Sequence, residues 1–378
     1  MITRRSLLKA LMLAAGIPEA VKSVRLTARP AETIAVPEQI KAFCIDFNWV
    51  QKNGGGVFAP PGHWADASPE EHVRWYEGIG ANVVQTFAVS CNGYAWYKHG
   101  VAPPQPGLKY DFLPSVTRLS HNRGLLTMGY FCVGANSNWG KGHPELSYGA
   151  PYSPHIPFTD QYLDYLCRSI EDAIRKTGMD GTMLDWVWNP SHKLRAKGWL
   201  PVEQRLFTQL TGKPFPKKGS PAAGEVLEYE RKAIDRCWAR IKECRDRTNP
   251  KCILWLSVNN MADPSIHDSP MLKQVDWLMN ESPVMKLYWL GRQMARQKTR
   301  MIQNLVGWRT DNAERFLADP GNRKLNLYGF AMPRANSLPL PVKEYLSRPL
   351  DSFMAQGVFS VNDKNIAALA RFYRRLPL

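Results

Sequence analysis

From residue 42 onward the chain repeats one rhythm. A short apolar run of strand length leads into a polar loop, then an amphipathic stretch at helical spacing, then the next apolar run. The apolar runs are Ala42–Trp49, Asn82–Ser90, Leu125–Val133, Thr182–Trp188, Cys252–Asn259, Val275–Asn280, Met301–Trp308 and Lys324–Ala331. Helical patterns fill the gaps. Ser68-Pro69-Glu70-Glu71 reads as a helix start, with a capping Ser, Pro at the first position and acids in the first turn. That helix ends near Gly78–Gly80. Leu113–Arg123 is closed by Gly124, and Asp160–Thr177 by Gly178. Leu206–Thr211, Gly224–Thr248, Pro283–Lys298, Asn312–Ala318, Val342–Ala355 and Asn362–Arg374 supply the rest.

Strands alternating with helices imply a parallel sheet, and eight strands is the closure number of the (β/α)8, or TIM, barrel. The fold expected is therefore α/β, a single barrel over residues 39–378. The connections are unequal. Those before the strands are short, as at Gly80-Ala81, Gly124, Gly178–Gly181 and Asn249–Lys251. Those after the strands (49–67, 91–112, 134–159 and 187–201) are long and rich in Trp. In a barrel the latter form the active face, so one deep cleft is expected there.

Polar residues at the strand ends are then the candidates for chemistry. Asp185 lies near the end of the fourth run and Glu281 just past the sixth. Strands two apart around a ring can turn their tips toward each other. Two carboxyls so placed are what glycosidic hydrolysis needs: one protonates the leaving oxygen, the other attacks the anomeric carbon or activates water. Candidate sugar-binding groups are Asp46, Asn48, His63, Tyr130, Asn136, Asn259, Asn260 and Arg309. Trp49, Trp64, Trp96, Trp139, Trp186, Trp188 and Trp308 are candidate stacking platforms. An indole suits the apolar face of a sugar, but it also fills large cores. His143, His155 and His192 fall in the same loops and read as ordinary loop histidines.

Other chemistries find little footing. Gly54-Gly55-Gly56 sits in a long polar loop, outside the GxGxxG and P-loop patterns. No GxSxG marks a serine nucleophile. None of the 7 cysteines forms a CxxC pair, and no HxxxH or HxH occurs, so neither a metal nor a cofactor is expected. Cys44, Cys132 and Cys252 fall in strand-like runs and read as buried thiols.

Composition adds two points. The 13 Trp are many for 378 residues, which suits a sugar-binding cleft and a large aromatic core equally. The net charge of +16 favours an anionic partner such as a sulfated or carboxylated polysaccharide. Much of that charge lies in Arg231–Arg247, Gly291–Arg300 and Arg371–Arg375, which also read as solvated helix faces. No nucleic-acid recognition motif accompanies it, and oligomeric state is not legible.

The N-terminus carries an address. Arg4-Arg5 followed by the apolar run Ala10–Gly16 has the form of a twin-arginine export signal over residues 1–20. The run is too short to span a bilayer. Residues 21–38 read as an extended leader, and the expected location is periplasmic or extracellular.

Gly124-Leu125-Leu126-Thr127-Met128-Gly129-Tyr130-Phe131 and Asp180-Gly181-Thr182-Met183-Leu184-Asp185-Trp186 together resemble the third and fourth strands of barrel glycoside hydrolases. The pattern is similar to that of the α-L-fucosidases of glycoside hydrolase family 29, whose fourth-strand aspartate is the nucleophile. The resemblance implies that role for Asp185. The paired histidines of that family have no counterpart here. Asn280-Glu281 resembles the Asn-Glu of a large retaining clan, where it stands on strand four rather than six. An endo-acting enzyme of the family 168 type, with an Asp nucleophile and a Glu acid/base on sulfated fucan, is the other resemblance. The function expected is retaining hydrolysis of an anionic, fucose-containing polysaccharide or oligosaccharide. The alternatives are an exo-acting α-L-fucosidase or α-galactosidase-like hydrolase, and a non-catalytic polysaccharide-binding barrel.

Overall fold

In the computed structural model the eight apolar runs close a barrel in which every neighbouring pair of strands is parallel. The structure describes residues 34–52, 55–149, 155–190, 192–196, 198–307, 312–353 and 362–377. The chain divides into Met1–Ala35 and Val36–Leu378, and the barrel belongs to the second unit. The signal-like segment 1–20 and the leader as far as residue 33 lie outside the described residues.

Chain order runs as follows. β1 (Lys41–Ile45) leads into a hairpin of β2 (Trp49–Lys52) and β3 (Gly55–Phe58). α1 (Pro69–Ile79), β4 (Val83–Val89), α2 (Phe112–His121) and β5 (Leu126–Cys132) come next. After α3 (Ser137–Gly142) and α4 (Asp160–Thr177) comes β6 (Gly181–Asp185). Three helices follow it: α5 (His192–Arg195), α6 (Pro201–Thr211) and α7 (Ala223–Thr248). Then come β7 (Ile253–Val258), β8 (Trp277–Asn280), α8 (Met285–Met294), β9 (Arg300–Val306), α9 (Ala313–Ala318) and β10 (Asn326–Ala331). α10 (Val342–Ser347) and α11 (Asp363–Tyr373) close the chain, and β10 pairs with β1 to seal the ring.

Local chemistry explains the boundaries. The Ser68 hydroxyl accepts the Glu71 N–H and Pro69 opens α1, as its residues require. α4 is capped by Thr159 and stops at Gly178, whose φ of 68° costs a Cβ-bearing residue more. Where the long helical pattern Val342–Ala355 was expected, α10 ends at Ser347 and a short 3-10 turn covers Leu350–Ser352. Pro349 has no N–H to continue the ladder and disfavours helix at the residue before it.

α4 and α7 share one buried seam. Leu163, Leu166 and Ile170 belong to the same apolar cluster as Ile234, Trp238 and Ile241. Each such side chain contributes about 1.5–3 kcal/mol of burial. Beside the seam Arg236 meets Asp160, Arg240 meets Asp164 and Arg247 meets Glu171. Exposed pairs of this kind give about 0–1 kcal/mol each, so the apolar seam dominates. Part of the basic run Arg231–Arg247 is thereby neutralised by the chain itself.

Inside the barrel, side chains alternate. Cys44 and Asp46 of β1 and its tip face inward, as do Gln85 and Phe87 of β4, Met183 and Asp185 of β6, and Tyr328 and Phe330 of β10. Trp255 and Trp277 sit lower in the same space, with ring centroids 5.6 Å apart, and fill the core. All seven cysteines are buried and unbridged. Among the described residues no helix is long and apolar enough to cross a membrane.

Candidate active site

The period of two that fills the barrel with Met183 and Met279 also brings Asp185 and Glu281 into one pocket at the C-terminal end of the strands. β6 and β8 flank β7, so their tips stand on either side of one strand. The pocket has a volume of about 270 Å³. Asp46 faces the same space. Three carboxyls thus share it.

Asp185 is held by its neighbours. The chain leaves the strand at Trp186, which takes φ 58°, a left-handed conformation rare for a bulky residue. That turn points the Trp186 N–H back at Asp185 Oδ1, at 2.8 Å. The Tyr130 hydroxyl donates to Asp185 Oδ2 at 2.9 Å. The left-handed turn is also why the fourth strand ends at Asp185 and not at Trp188, as its apolar pattern predicts. Gly134 makes the turn possible: a Cβ there would stand 2.5 Å from the Trp186 carbonyl oxygen and 3.1 Å from that of Trp188.

Glu281 takes a weaker contact, from the Ser257 hydroxyl at 3.3 Å, and its own carbonyl accepts from Asn304 at 3.1 Å. Asn280 faces the other way. It is fully buried and donates to Gln303 and to the Ser282 carbonyl, so the Asn-Glu pair does not act as a unit in the pocket.

The three carboxyls differ in proton affinity. Burial raises Asp185 to about 6, opposed by the Trp186 N–H and the Tyr130 hydroxyl. Burial and the charge of Asp185 raise Asp46 to about 7, opposed by the Asn48 N–H at 2.8 Å. Glu281 rises furthest, to about 8, through burial and then the charge of Asp185. As pH rises, Asp185 loses its proton first and Glu281 last.

Aromatic rings wall one side. Trp186 stacks on Trp188 at 5.2 Å and 25°, and lies 5.6 Å from Phe58. Phe58 in turn packs on Trp49 across the hairpin, at 4.7 Å. Phe58 is not among the sequence candidates, and 49–67, expected as a loop, holds the hairpin. The alternation in Val57-Phe58 opposite Trp49-Val50 is the signal that marks it. His155 also stacks on Trp186 at 5.2 Å, and burial lowers it to about 4, so it is neutral.

Of the other sequence candidates, Asn48, Trp49, Tyr130, Trp186, Trp188 and Asn259 line the pocket. Several do not. Trp96 is sealed among Phe47, Phe87 and Phe112, with its N–H donated to Ser90 Oγ at 2.7 Å. It is core. Trp139 is buried against Tyr162 and stacked on His143 at 4.0 Å. Asn136 caps α3 by accepting the Trp139 N–H at 2.8 Å. His63 packs edge-on against Trp64, which lies over Phe47, and neither ring lines the pocket. Asn260 opens onto a neighbouring cavity. Trp308 and Arg309 lie outside the described residues. Asp180, at the opposite end of β6, bonds His121 at 2.9 Å and the Thr127 N–H at 2.7 Å, closing the barrel floor. Among the described residues no group of three or more His, Cys, Asp or Glu is placed to hold a metal ion.

No protein-family model matches this sequence. No curated protein matches it either. Solved structures do. α-L-Fucosidase isoenzyme 2 from Paenibacillus thiaminolyticus superposes with a TM-score of 0.62 at 14% identity, over 89% of this chain and 49% of that one. A family 29 α-L-fucosidase from Bacteroides thetaiotaomicron gives 0.46 at 12% identity, over 89% and 72%. The glycoside hydrolase domain of PgaB (BpsB) from Bordetella bronchiseptica gives 0.49 at 10%, over 79% and 94%. This chain spans about half the length of the Paenibacillus enzyme. At this identity the likeness to that enzyme is one of fold: the chain is built on the same closed (β/α)8 barrel.

Proposed function

We propose that this protein hydrolyses an O-glycosidic bond with retention at the anomeric carbon, Asp185 acting as nucleophile and Glu281 as general acid/base. One observation carries the reading. Two carboxyls on strands two apart meet in one pocket, and their proton affinities are separated in the order the reaction needs. Near pH 7 Asp185 is mostly ionised and Glu281 mostly protonated. The Glu281 proton passes to the glycosidic oxygen while an Asp185 oxygen bonds the anomeric carbon and the leaving alcohol departs. Glu281, now ionised, takes a proton from water. The water oxygen displaces Asp185 and releases the sugar.

The strand tips stand roughly 10 Å apart at the backbone, across one intervening strand. Both carboxyls line the pocket between those tips, and retention needs them roughly 5–5.5 Å apart. Trp186 and Trp188 offer the stacking face. A purely binding barrel has no use for three desolvated acids, each of which costs stability when ionised.

The sugar in the pocket is neutral on this reading. The described lining holds three carboxyls and neither lysine nor arginine, so a sulfate gains no partner there. If the substrate is an anionic polymer, its charge lies on units outside the pocket. The fold shared with the Paenibacillus α-L-fucosidase makes L-fucosides the first substrates to try. Export is part of the proposal, supported by Arg4-Arg5 and the apolar run behind them. A reporter fused to residues 1–40 should reach the periplasm, and replacing both arginines with lysine should strand it inside.

The deciding experiment follows hydrolysis of glycosyl fluorides by NMR, beginning with L-fucosyl fluoride. The first sugar released should keep the anomeric configuration of the fluoride. An inverted first product overturns retention, and full activity in Asp185→Ala overturns the assignment of the nucleophile.

A further inference from the structure

Beside the active-site pocket lies a second cavity of about 540 Å³. The two share Trp188, Ser257 and Asn259. Ser257 lies on the wall common to both spaces and donates its hydroxyl to Glu281. The second cavity therefore adjoins the pocket beside the carboxyl that, on the reading above, protonates the leaving oxygen.

Its lining differs from that of the first. Val187, Val226, Leu227, Ile266 and Met271 make it mainly aliphatic, with Trp188 the aromatic ring at its mouth. Several polar groups at its edge are already engaged. Glu230 is paired with Arg195 at 2.5 Å. Asp263 accepts from the Ser265 N–H and hydroxyl. Asn260 accepts the Ala262 N–H. Asn189 is 7% exposed, its amide nitrogen donates to the Glu230 carbonyl, and its Oδ1 is buried away from the cavity.

A second sugar ring would bring several hydroxyls against aliphatic walls, each left without a hydrogen bond at appreciable cost. A hydrocarbon meets no such penalty. We infer that this cavity is the leaving-group site and takes an uncharged, apolar aglycone, an alkyl or aryl alcohol. The inference rests on the hydrolase reading above, and it turns the expected substrate from a polymer toward a glycoside of an apolar alcohol.

Two measurements test it. The first needs no turnover. Binding of 2-naphthol to the full chain is followed by calorimetry, for the wild type and for Ala223→Trp and Leu227→Asp. Ala223 is exposed at the first turn of α7 and Leu227 is half-buried one turn on, so neither change strikes the core. Saturable binding, weakened at least tenfold by both changes, is the expected result. Absent binding, or equal binding by all three proteins, overturns the site.

The second compares methyl, butyl and octyl glycosides of whichever sugar the wild type accepts as its fluoride. kcat/KM should climb by up to roughly fourfold per methylene until the cavity is filled. A flat series overturns the proposal. Glycosyl fluorides need no aglycone site, so failure to turn them over counts against the hydrolase reading alone.

Discussion

The Tyr130 hydroxyl donates to Asp185 Oδ2 at 2.9 Å, from the strand next to the one that carries the carboxylate. Tyr130 is a positioning residue: it orients the carboxylate and favours its ionised form. A hydrogen bond to a charged group contributes about 1.5–3 kcal/mol, so Tyr130→Phe should lower kcat roughly 10- to 100-fold. A second signature separates this role from a merely structural one. Removing the donor raises the pKa of Asp185, so the acidic limb of the pH–rate profile should move to higher pH. An unmoved limb would refute the role.

The pH profile of the wild type follows from the same pocket. On the proposed mechanism kcat/KM requires Asp185 ionised and Glu281 protonated, which gives a bell with limbs near pH 6 and pH 8. Asp46 titrates between them, at about 7, so the limbs belong to the set of three and not to single residues. Asp46→Asn should therefore lower the alkaline limb, because one negative neighbour of Glu281 is gone. Initial rates on one substrate across the range check both points.

The same shifts have a stability consequence, with a definite sign. Glu281 titrates near 8 when folded and near 4.3 when unfolded. The folded state thus binds the extra proton between those values. The favourable contribution is complete below about pH 4 and is lost as pH rises through 8. Glu281→Gln mimics the protonated form at every pH. Its melting temperature should exceed that of the wild type by roughly 2 °C or more above pH 8, with the gap vanishing toward pH 4. A gap that instead grows on acidification would show the sign to be wrong.

The barrel and its acid pair were legible for different reasons. Strand-length apolar runs separated by capped amphipathic helices fix the alternation, and Ser68, Thr159 and Gly178 behave as their types dictate. Asp185 and Glu281 follow because side chains alternate in strands and because strand tips face one mouth. The tryptophans were not separable. Trp96 and Trp186 both stand in long loops, yet one fills the core and the other flanks the pocket. Residue type says only that an indole must cover apolar area. Which area it covers depends on long-range packing: on Phe112 reaching Trp96, and on a hairpin delivering Phe58 to Trp186. The apolar pattern also overran β6, because the left-handed turn at Trp186 depends on the space left by Gly134, far off in sequence.

Arg195 follows Trp186 and Trp188 in the chain, at the end of α5. It is 3% exposed at the side chain and pairs with fully buried Glu203 at 2.8 Å. Tyr229 also donates to Glu203, at 3.0 Å. A buried pair adds little net stability against an apolar replacement of both partners, but removing one strands the other charge. Arg195→Met should therefore destabilise the protein by about 3–5 kcal/mol in denaturant unfolding. The double change to Arg195→Met with Glu203→Leu should recover part of that loss, since Glu230 still lacks its cation and Tyr148 and Tyr229 still lose their acceptor. A double variant no more stable than the single one would mean that the arginine acts through its packing on Trp199, 4.4 Å from its guanidinium, and not through charge.

Gly134 supplies the most local test of how the fold serves the site. Its missing Cβ is what lets the Trp186 and Trp188 carbonyls pass at close range. Gly134→Ala forces backbone atoms apart, and backbone cannot move aside as a flexible side chain can. The displaced segment is the one whose N–H holds Asp185 Oδ1 and whose rings flank the pocket. The eight strands do not depend on it, so circular dichroism should be unchanged. kcat should fall by at least tenfold and KM should rise, since a displacement of well under 1 Å at a reacting group is enough for such losses. If Gly134→Ala instead lowers the melting temperature and leaves the kinetics of the folded fraction intact, the glycine serves the barrel and not the geometry of Asp185.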